Sequence, residues 1–362
     1  MDAILDYMSQ GGAQGEVAQL VTNGRMDAGA MRPWIDPKTG KSYITTFAGG
    51  DAKNPENYRN VELQTNATLR PYEWRQLDEV LLPIAEKRLN GVKDLIDNGL
   101  VYNLGNAMGT TVLEWHDVSD ALDAVLTMDG VTRGENDRPE FTANYLPIPI
   151  IHADYEINAR ALAASRSLGN PLDTTMAERA ARKVADKLEQ MLFTSTAYTF
   201  GGGTIYSYLN FPHTNKVTLA KAWDASDVTG AEIVDDVVTM KQASIESYFY
   251  GPWMLYIPTG FETKLDKDYN DYRTGTIRDR IMQIAGIKGI KVVDTLTADN
   301  VVLVQMSSDV VRLVQGLPLQ NVQWEVEGKF LSKFKVLTIA VPQIRADQDG
   351  HCGISHGTFT ST

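Results

Sequence analysis

The sequence predicts an α+β fold, and two stretches carry this prediction. The first is an extended segment from Leu146 to Ile157, in which two prolines one residue apart prevent a helix and suit an edge strand or a long arm. A long amphipathic helix follows it, over residues 174–193. The second stretch, residues 226–316, alternates between helical and strand-like patterns, which is typical of helices packed on a mixed sheet.

The first hundred residues divide into two parts. Residues 1–70 are polar and rich in glycine, which favours an N-terminal arm that lies across another surface. A partly disordered leader is the alternative interpretation. Residues 71–100 predict an N-terminal helix, because Pro71 suits a first-turn position and Gly99 suits the position just past the end. Pro83 should kink or divide this helix.

Residues 101–145 form a long connection with little apolar character. Strand-like pieces occur at Thr111 to Trp115 and at Ala121 to Met128, and a turn-rich tip spans Gly130 to Pro139. Because a connection of this length usually projects or carries function, it predicts an extended loop. A two-stranded flap that reaches a neighbouring molecule would explain why the segment contributes so little core.

Residues 146–225 contain the helix at 174–193, which we interpret as a spine for packing. Thr175 and Glu178 fit a capping box, with Asp173 and Thr174 as alternative caps. One apolar stripe at helical spacing is expected to be buried: Ala177, Ala180, Ala181, Val184, Ala185, Leu188, Met191 and Leu192. The charged residues are expected on the solvated side: Arg179, Arg182, Lys183, Asp186, Lys187 and Glu189. The glycines 201–203 lack the following Lys-Ser/Thr of a phosphate loop and predict a turn.

Residues 226–316 predict one α/β sub-domain. A helix is expected near Ala231 to Tyr248 and a strand at Trp253 to Ile257. Thr259 and Glu262 fit a capping box for a short helix. Asn270 to Thr276 is expected to be a loop, followed by a helix that carries Ile277, Ile281 and Ile284. Three further strands are expected: Ile290 to Val293, Val301 to Val304 and Val310 to Val314.

Residues 317–346 predict two return strands, and residues 347–362 a polar C-terminal tail. Val322, Trp324 and Val326 alternate with polar residues, which indicates a half-buried strand. The segment from Phe334 to Ile344 is apolar on both sides and predicts a covered strand, whose end or edge position Pro342 should mark.

Composition limits the class of protein. The chain has 362 residues, a formal net charge of −12 and a single cysteine, Cys352. An intrachain disulfide and a cysteine cluster for zinc are therefore excluded, and binding of nucleic acid through an overall positive field is not expected. The N-terminal residues lack the pattern of a signal peptide, and no apolar stretch approaches the ~20 residues that a membrane span needs. We therefore expect a protein that is made and used in a cytoplasm and has no membrane partner.

The polar residues give no pattern for catalysis, so we predict no catalytic, cofactor-binding or metal-binding residue. Five histidines lie outside metal-helix and nucleophile-elbow patterns: His116, His152, His213, His351 and His356. His351, Cys352 and His356 suit either a soft-metal cluster or a solvated tail, and we adopt the tail. Asp235 and Asp236 are interpreted as part of the solvated face of a helix. Asp266, Asp268 and Asp271 lie near a predicted loop, but their spacing does not match a calcium-binding loop. A soluble hydrolase, monomeric or a small oligomer, is the enzymatic alternative.

The order of the elements resembles the Hong Kong 97-type fold, the coat-protein fold of tailed double-stranded-DNA bacteriophages, with likeness to its encapsulin-related branch. The resemblance covers Pro71 to about Gly353. It rests on six segments: the helix from Pro71 to Leu89, Leu146-Pro147-Ile148-Pro149-Ile150, Leu172-Asp173-Thr174-Thr175, the helix from Ala177 to Glu189, the Gly-rich turn at Gly201, and Gly251-Pro252-Trp253-Met254-Leu255-Tyr256-Ile257.

The resemblance implies a role for each segment. Residues 101–145 would be the extended loop that lies over a neighbouring subunit. Residues 146–225 and 317–346 would form a peripheral domain, and residues 226–316 an axial domain at the five-fold and six-fold axes. The function would be self-assembly through pentamers and hexamers into an icosahedral shell around the phage genome. The implied partners are a portal protein, a separate scaffold and a decoration protein, with assembly in the host bacterial cytoplasm and no sequence-specific DNA binding.

Two branches of this family remain open. An encapsulin-type compartment loaded with a cargo enzyme is the alternative, but encapsulins usually lack a long N-terminal extension, and so the arm favours a phage major capsid protein. Some relatives crosslink through a flap lysine. Because the segment from Val101 to Tyr145 has no lysine, only Arg133 and Arg138, we predict no such crosslink.

Overall fold

The structure is a computed structural model. It describes residues 34–36, 38–39, 42–47, 58–63, 73–79, 89–105, 108–118, 128, 141–158, 160, 174–194, 197–219, 221–270, 273–327 and 331–359. Residues 73–79 are helical. The further helices are α1 (Asn90–Asp97), α2 (Thr175–Phe193), α3 (Gly230–Glu246), α4 (Glu262–Leu265) and α5 (Ile277–Met282).

The strands are given in chain order. The first nine are β1 (Trp34–Ile35), β2 (Ser42–Phe47), β3 (Tyr58–Leu63), β4 (Val101–Asn103), β5 (Val112–Val118), β6 (Phe141–Pro147), β7 (Ile151–Asn158), β8 (Tyr198–Phe200) and β9 (Gly203–Ile205). The remaining ones are β10 (Asn215–Leu219), β11 (Trp253–Pro258), β12 (Asp268–Asn270), β13 (Arg273–Thr276), β14 (Ile287–Val293), β15 (Asn300–Gln305), β16 (Val311–Glu327), β17 (Leu331–Ile344) and β18 (Ile354–Phe359).

A four-stranded sheet in the order β4-β16-β17-β7 carries the helix α2 on one face. β16 and β17 form one long antiparallel ladder, from the pair Val311 and Ile344 to the pair Glu327 and Leu331. The predicted strand at Val310 to Val314 is therefore the start of β16 and pairs in this sheet, not in the α/β sub-domain. The pairing of β17 with β7 ends at Thr338, before Pro342. Proline has no N–H, and at this position β7 does not require one from it.

The spine helix α2 matches its predicted bounds closely. The apolar stripe is buried as predicted, except that Met191 is half-buried. The predicted capping box at Thr175 is wrong, because Thr174 is the N-cap and its hydroxyl donates to Glu178 Oε1 at 3.0 Å instead of accepting a backbone N–H. The prediction for Glu189 is also wrong, since this residue is only 3% exposed.

A second, mixed sheet of five strands has the order β10-β18-β15-β11-β14, with α3 and α5 packed beside it, and this confirms the mixed sheet predicted from the sequence. Its helices start with capping boxes at Thr229 and Thr276. The predicted box at Thr259 is absent, because this residue begins a 3₁₀ turn in which no side chain caps the helix. The predicted loop Asn270 to Thr276 instead contributes to the antiparallel pair β12–β13.

The C-terminal segment is not a polar tail. β18 lies between β10 and β15, and Cys352 and Ile354 have no solvent exposure. A Cβ at Gly357 would lie 2.8 Å from Leu219 Cδ1 and 3.1 Å from Met240 Sδ, so glycine leaves room for these two side chains on that face of the sheet. Backbone pairing on both sides holds β18 in place, so its formation does not depend on an apolar sequence.

The segment before α2 divides into two strands. β6 pairs with β5 as an antiparallel ribbon, and β7 forms the edge of the four-stranded sheet. The edge-strand interpretation is confirmed for β7, whereas the single segment predicted from Leu146 to Ile157 is interrupted at residues 148–150. Near the N-terminus, β1, β2 and β3 form a small antiparallel sheet. The predicted strand-like piece at 121–127, the tip at 130–139 and Pro83 lie outside the described residues. Among the helices described, none has the length and apolar character needed to cross a membrane.

Candidate assembly surfaces

The β5–β6 ribbon is anchored at one end and exposed at the other. Its register runs from Val112 opposite Pro147 to Val118 opposite Phe141. At the anchored end, Leu146 is buried in a small apolar cluster, whose other members are Ile148, Ile205, Val314, Ile339 and Val341. At the far end Phe141 is 66% exposed, and the next two residues are exposed although they point to opposite faces. Seven residues of strand carry this far end roughly 20 Å from the root.

A glycine hairpin braces the ribbon root. β8 and β9 pair across Gly201 and Gly202, which both have positive φ, as the predicted turn requires. A Cβ at Gly203 would lie 2.3 Å from the carbonyl oxygen of Tyr145, so only glycine allows β9 to lie against β6. Two aromatic residues on β8 of this hairpin are largely exposed to solvent, Tyr198 by 50% and Phe200 by 53%.

A buried carboxylate joins the spine helix to α1. Glu189 Oε1 accepts the backbone N–H of Gly91 at 2.7 Å, and Oε2 accepts that of Val92 at 3.2 Å. These are unpaired donors of the first turn of α1, whose own N-cap residue Leu89 supplies no side-chain bond. Burial raises the pKa of Glu189 to about 7, and the two backbone hydrogen bonds oppose this rise.

The opposite side of α1 is tied to the five-stranded sheet. Tyr256 donates its hydroxyl to Asp94 Oδ2 at 3.1 Å, and Lys291 Nζ lies 3.6 Å from Asp94 Oδ1. Burial raises the pKa of Asp94, against the opposing charge of Lys291. α1 is thus a polar joint between the spine helix and strands β11 and β14. Sequence reasoning missed it.

Two arginines lie together on the four-stranded sheet. Arg312 Nε donates to Gln343 Oε1 at 2.6 Å, and the Arg312 guanidinium carbon lies 4.4 Å from the centre of the Tyr102 ring. Burial lowers the pKa of Arg312, and the nearby charge of Arg345 lowers it further.

Two tyrosines and a histidine form an exposed group beside the five-stranded sheet. Tyr248 has φ 65° and is 69% exposed, and Tyr250 is 68% exposed. The Tyr248 ring packs edge-on against His351, with 5.3 Å between the ring centres.

The structure separates the residues of the suggested soft-metal cluster. Burial of the Cys352 thiol raises its pKa to about 12. His356 is buried on β18 with Nε2 at 2.6 Å from Asn300 Oδ1, and burial lowers its pKa to about 4. His351 instead lies in a surface loop, and within the described residues its ligand atom groups with those of Asp347 and Asp349, within 4.8 Å of one another.

The remaining polar candidates have structural surroundings. His116 lies 3.7 Å from Glu114 on the ribbon, and His152 lies 3.1 Å from Asp154 on β7. His213 is exposed and packs against Phe211. Among the acidic candidates, Asp236 accepts the indole N–H of Trp223 at 2.8 Å. Asp235 is exposed, Asp266 forms an ion pair with Arg278, and Asp268 is the first residue of β12. Asp271 lies outside the described residues.

Comparison with known proteins gives a family and a fold. The model of a family of unknown function (DUF6260) matches residues 65–357. No curated protein matches the sequence significantly.

Several solved structures share the arrangement. A virus-like particle from Pyrococcus furiosus superposes with a TM-score of 0.57 and 19% identity, over 79% of this chain and 99% of that one. The capsid of Myoviridae phage XM1 gives a TM-score of 0.57 and 11% identity, over 73% of this chain and 91% of that one. The capsid of a native GTA particle gives a TM-score of 0.53 and 14% identity, over 74% of this chain and 90% of that one. These likenesses confirm the Hong Kong 97-type fold.

Proposed function

The chain belongs to the DUF6260 family, and we propose that it is the major capsid protein of a tailed double-stranded-DNA bacteriophage, which self-assembles into an icosahedral shell. The observation that carries the proposal is the β5–β6 ribbon. An isolated two-stranded ribbon is marginally stable in water, and three successive residues at the distal end of β6, Phe141 to Ala143, are exposed. Burial against a neighbouring copy would supply the missing stabilisation.

The proposed assembly repeats one heterologous contact. The extended loop of residues 101–145 lies over a neighbouring subunit, and rotation of this contact closes pentamers and hexamers. Residues 146–225 and 317–346 form the peripheral domain of each subunit, and residues 226–316 the axial domain near the ring axes. Individual contacts need little energy, because each subunit makes many of them at once.

The other partners and the location follow from this role. The shell encloses double-stranded DNA without sequence-specific contacts, which suits a chain with net charge −12. A portal protein, a separate scaffold and a decoration protein complete the virion, which is assembled in the cytoplasm of the host bacterium. The protein is structural rather than an enzyme and needs no cofactor, metal or membrane.

A cellular compartment that holds a cargo enzyme is the second candidate. The observation in its favour is the likeness to the virus-like particle from Pyrococcus furiosus, which this chain covers over 99% of its length. The arm of residues 1–70, part of which forms the β1–β2–β3 sheet, favours the phage capsid.

Electron microscopy of the purified full chain, with light scattering alongside, tests the proposal. Shells with five-fold and six-fold rings are expected, and particles from infected cells should contain DNA. Co-purification of shells with a cellular enzyme would favour the compartment. A monomer or dimer under all conditions, including with a co-expressed scaffold, would contradict both candidates and return attention to a soluble hydrolase.

A further inference from the structure

We propose that Arg312 and Arg345 form a receptor for a carboxylate, and that an acidic side chain from the loop tip of a neighbouring copy, residues 119–140, fills it. The inference deepens the proposed shell function and rests on it. The structural observation is a pair of adjacent arginines that have no acidic partner among the residues that the structure describes.

The arginine pair is held in place by the sheet. Arg312 is fixed by its hydrogen bond to Gln343 and by the Tyr102 ring beneath it. Arg345 continues the ladder, since its N–H donates to the carbonyl of Val310 at 2.8 Å. Its Nε is shielded from solvent and meets no acceptor. Both side chains are half-buried.

Within the described residues, the two guanidinium groups have no negative charge beside them. In the part of the chain that the structure describes, no carboxylate lies within 4.0 Å of either group. Two like charges that are partly removed from water and unpaired destabilise a fold. A guanidinium presents paired N–H groups that match a carboxylate, so an acidic ligand would relieve this cost.

The position of the pair fits a ligand from a neighbouring loop. Along β16, Leu313 points to the spine-helix core and Val314 to the ribbon-root cluster, so strand alternation places Arg312 on the ribbon side. The pair therefore lies on the sheet face opposite α2, the face from which the chain's own ribbon leaves. A repeated contact that lays each loop over the next copy brings a loop tip to this face.

The loop tip has the complementary charge. Residues 119–140 carry six acidic side chains and two arginines. The acidic ones are Asp120, Asp123, Asp129, Glu135, Asp137 and Glu140. Because acidic side chains outnumber basic ones in the loop tip, the loop tip is attracted to the arginine pair. Most of a chain with net charge −12 would repel the loop tip, so the arginine pair of a second copy is a favourable place for it.

A lysine replacement makes the contact visible. The full chain with Arg312→Lys and Arg345→Lys is assembled from an equal mixture of ¹⁴N- and ¹⁵N-labelled subunits and treated with a carbodiimide, which joins a lysine amine to a carboxylate with loss of water. Mass spectrometry should find the amine introduced by Arg312→Lys or Arg345→Lys joined to residues 119–140 in mixed-isotope pairs. Links within single chains only, or to other segments only, would overturn the proposal.

Removal of the charges tests what the contact contributes. Arg312→Gln with Arg345→Gln should raise the subunit concentration needed for shell assembly by about tenfold. Arg179→Gln with Arg182→Gln, on the exposed side of the spine helix, is the matched two-charge control and should leave this concentration within about twofold. Unchanged assembly with reduced DNA retention would instead assign the pair to phosphate and overturn the proposal. If the unaltered chain forms no shells at all, the proposed function has failed, and not this contact alone.

Discussion

Replacement of Glu189 by glutamine should change how the stability of the subunit depends on pH. The carboxyl group is 3% exposed, and its pKa is raised from 4.5 to about 7 by burial. The folded chain therefore holds the proton more tightly than the unfolded chain does. This stabilisation is fully present below pH 4.5 and is lost as the pH rises towards 7.

The size of the effect follows from the shift. A rise from 4.5 to about 7 corresponds to a loss of about 3 kcal/mol in the free energy of unfolding across this range. Asp94 also has a raised pKa, so its contribution has the same sign. Because Asp94 is present in both proteins, a comparison of the variant with the unaltered chain removes most of its contribution.

Glu189→Gln keeps the shape of the side chain and cannot ionise. Relative to the unaltered chain, its free energy of unfolding should increase by about 3 kcal/mol between pH 4.5 and pH 8. The absolute effect at either pH also includes the amide group, which offers one acceptor where the carboxylate offers two to α1. The pH dependence of the difference is therefore the informative quantity.

Urea unfolding of the full chain, held below the concentration at which subunits associate, measures this difference at the two pH values. Asp186→Asn, on the half-exposed side of the same helix, is the matched control and should change the free energy by less than about 0.5 kcal/mol. If the difference between Glu189→Gln and the unaltered chain is the same at both pH values, the carboxyl group is not destabilised by burial and the reasoning is wrong.

Four further predictions test other parts of the structure. Phe141→Ser should leave the urea midpoint of the subunit unchanged but reduce shell yield in electron micrographs several-fold, because this side chain is exposed in the monomer; a lowered midpoint would place it in the core instead. Thr229→Ala should cost about 1 kcal/mol in urea unfolding, since it removes the capping box of α3, and Thr229→Ser should restore most of it. Deletion of residues 354–362 should give insoluble protein, because β18 is a central strand; a soluble, cooperatively folding product would contradict its place in the sheet. Mature particles should run as one band on a denaturing gel, since residues 101–145 offer no lysine for a crosslink, and a ladder of covalent oligomers would refute this.

Much of the fold could be predicted because its signals are local. The spacing of small and apolar residues located α2 to within a residue, and the two prolines before it located the edge strand β7. The alternation at Val322 to Val326 identified part of β16. It did not reveal that β16 is continuous from Val311, because Gly316 and Pro318 suggest a break that the ladder crosses by shifts in register.

The C-terminal strand was missed for a different reason. Its residues Ser355, His356, Gly357 and Thr358 are polar or small, and composition therefore suggests a tail. What makes the segment a strand is the two partners on either side, which satisfy its backbone, and Gly357 leaves room for the side chains beside it. Neither partner is near in sequence to β18, so no local pattern records the pairing.

At Glu189, helical periodicity and the charge of the side chain predict opposite positions. Glu189 lies four residues after Ala185 and four before Phe193, so helical periodicity alone places it in the buried stripe. Its charge suggested the solvated side instead. A charged residue at a stripe position is better interpreted as evidence for a distant partner, here the N–H groups of Gly91 and Val92.

The same bond explains how α1 is held as a helix, where the sequence predicted only the end of one helix over residues 71–100, just before Gly99. α1 spans eight residues, a length at which an isolated helix is marginal, and Leu89 gives it no side-chain cap. Its missing cap comes from α2, and its other side is held by Tyr256 and Lys291. α1 should therefore form only when the spine helix and the five-stranded sheet are both in place. A variant that weakens this joint, such as Glu189→Ala, should increase amide hydrogen exchange at α1 before it does so at α2 or at the centre of either sheet, and equal exchange at all three would contradict this order.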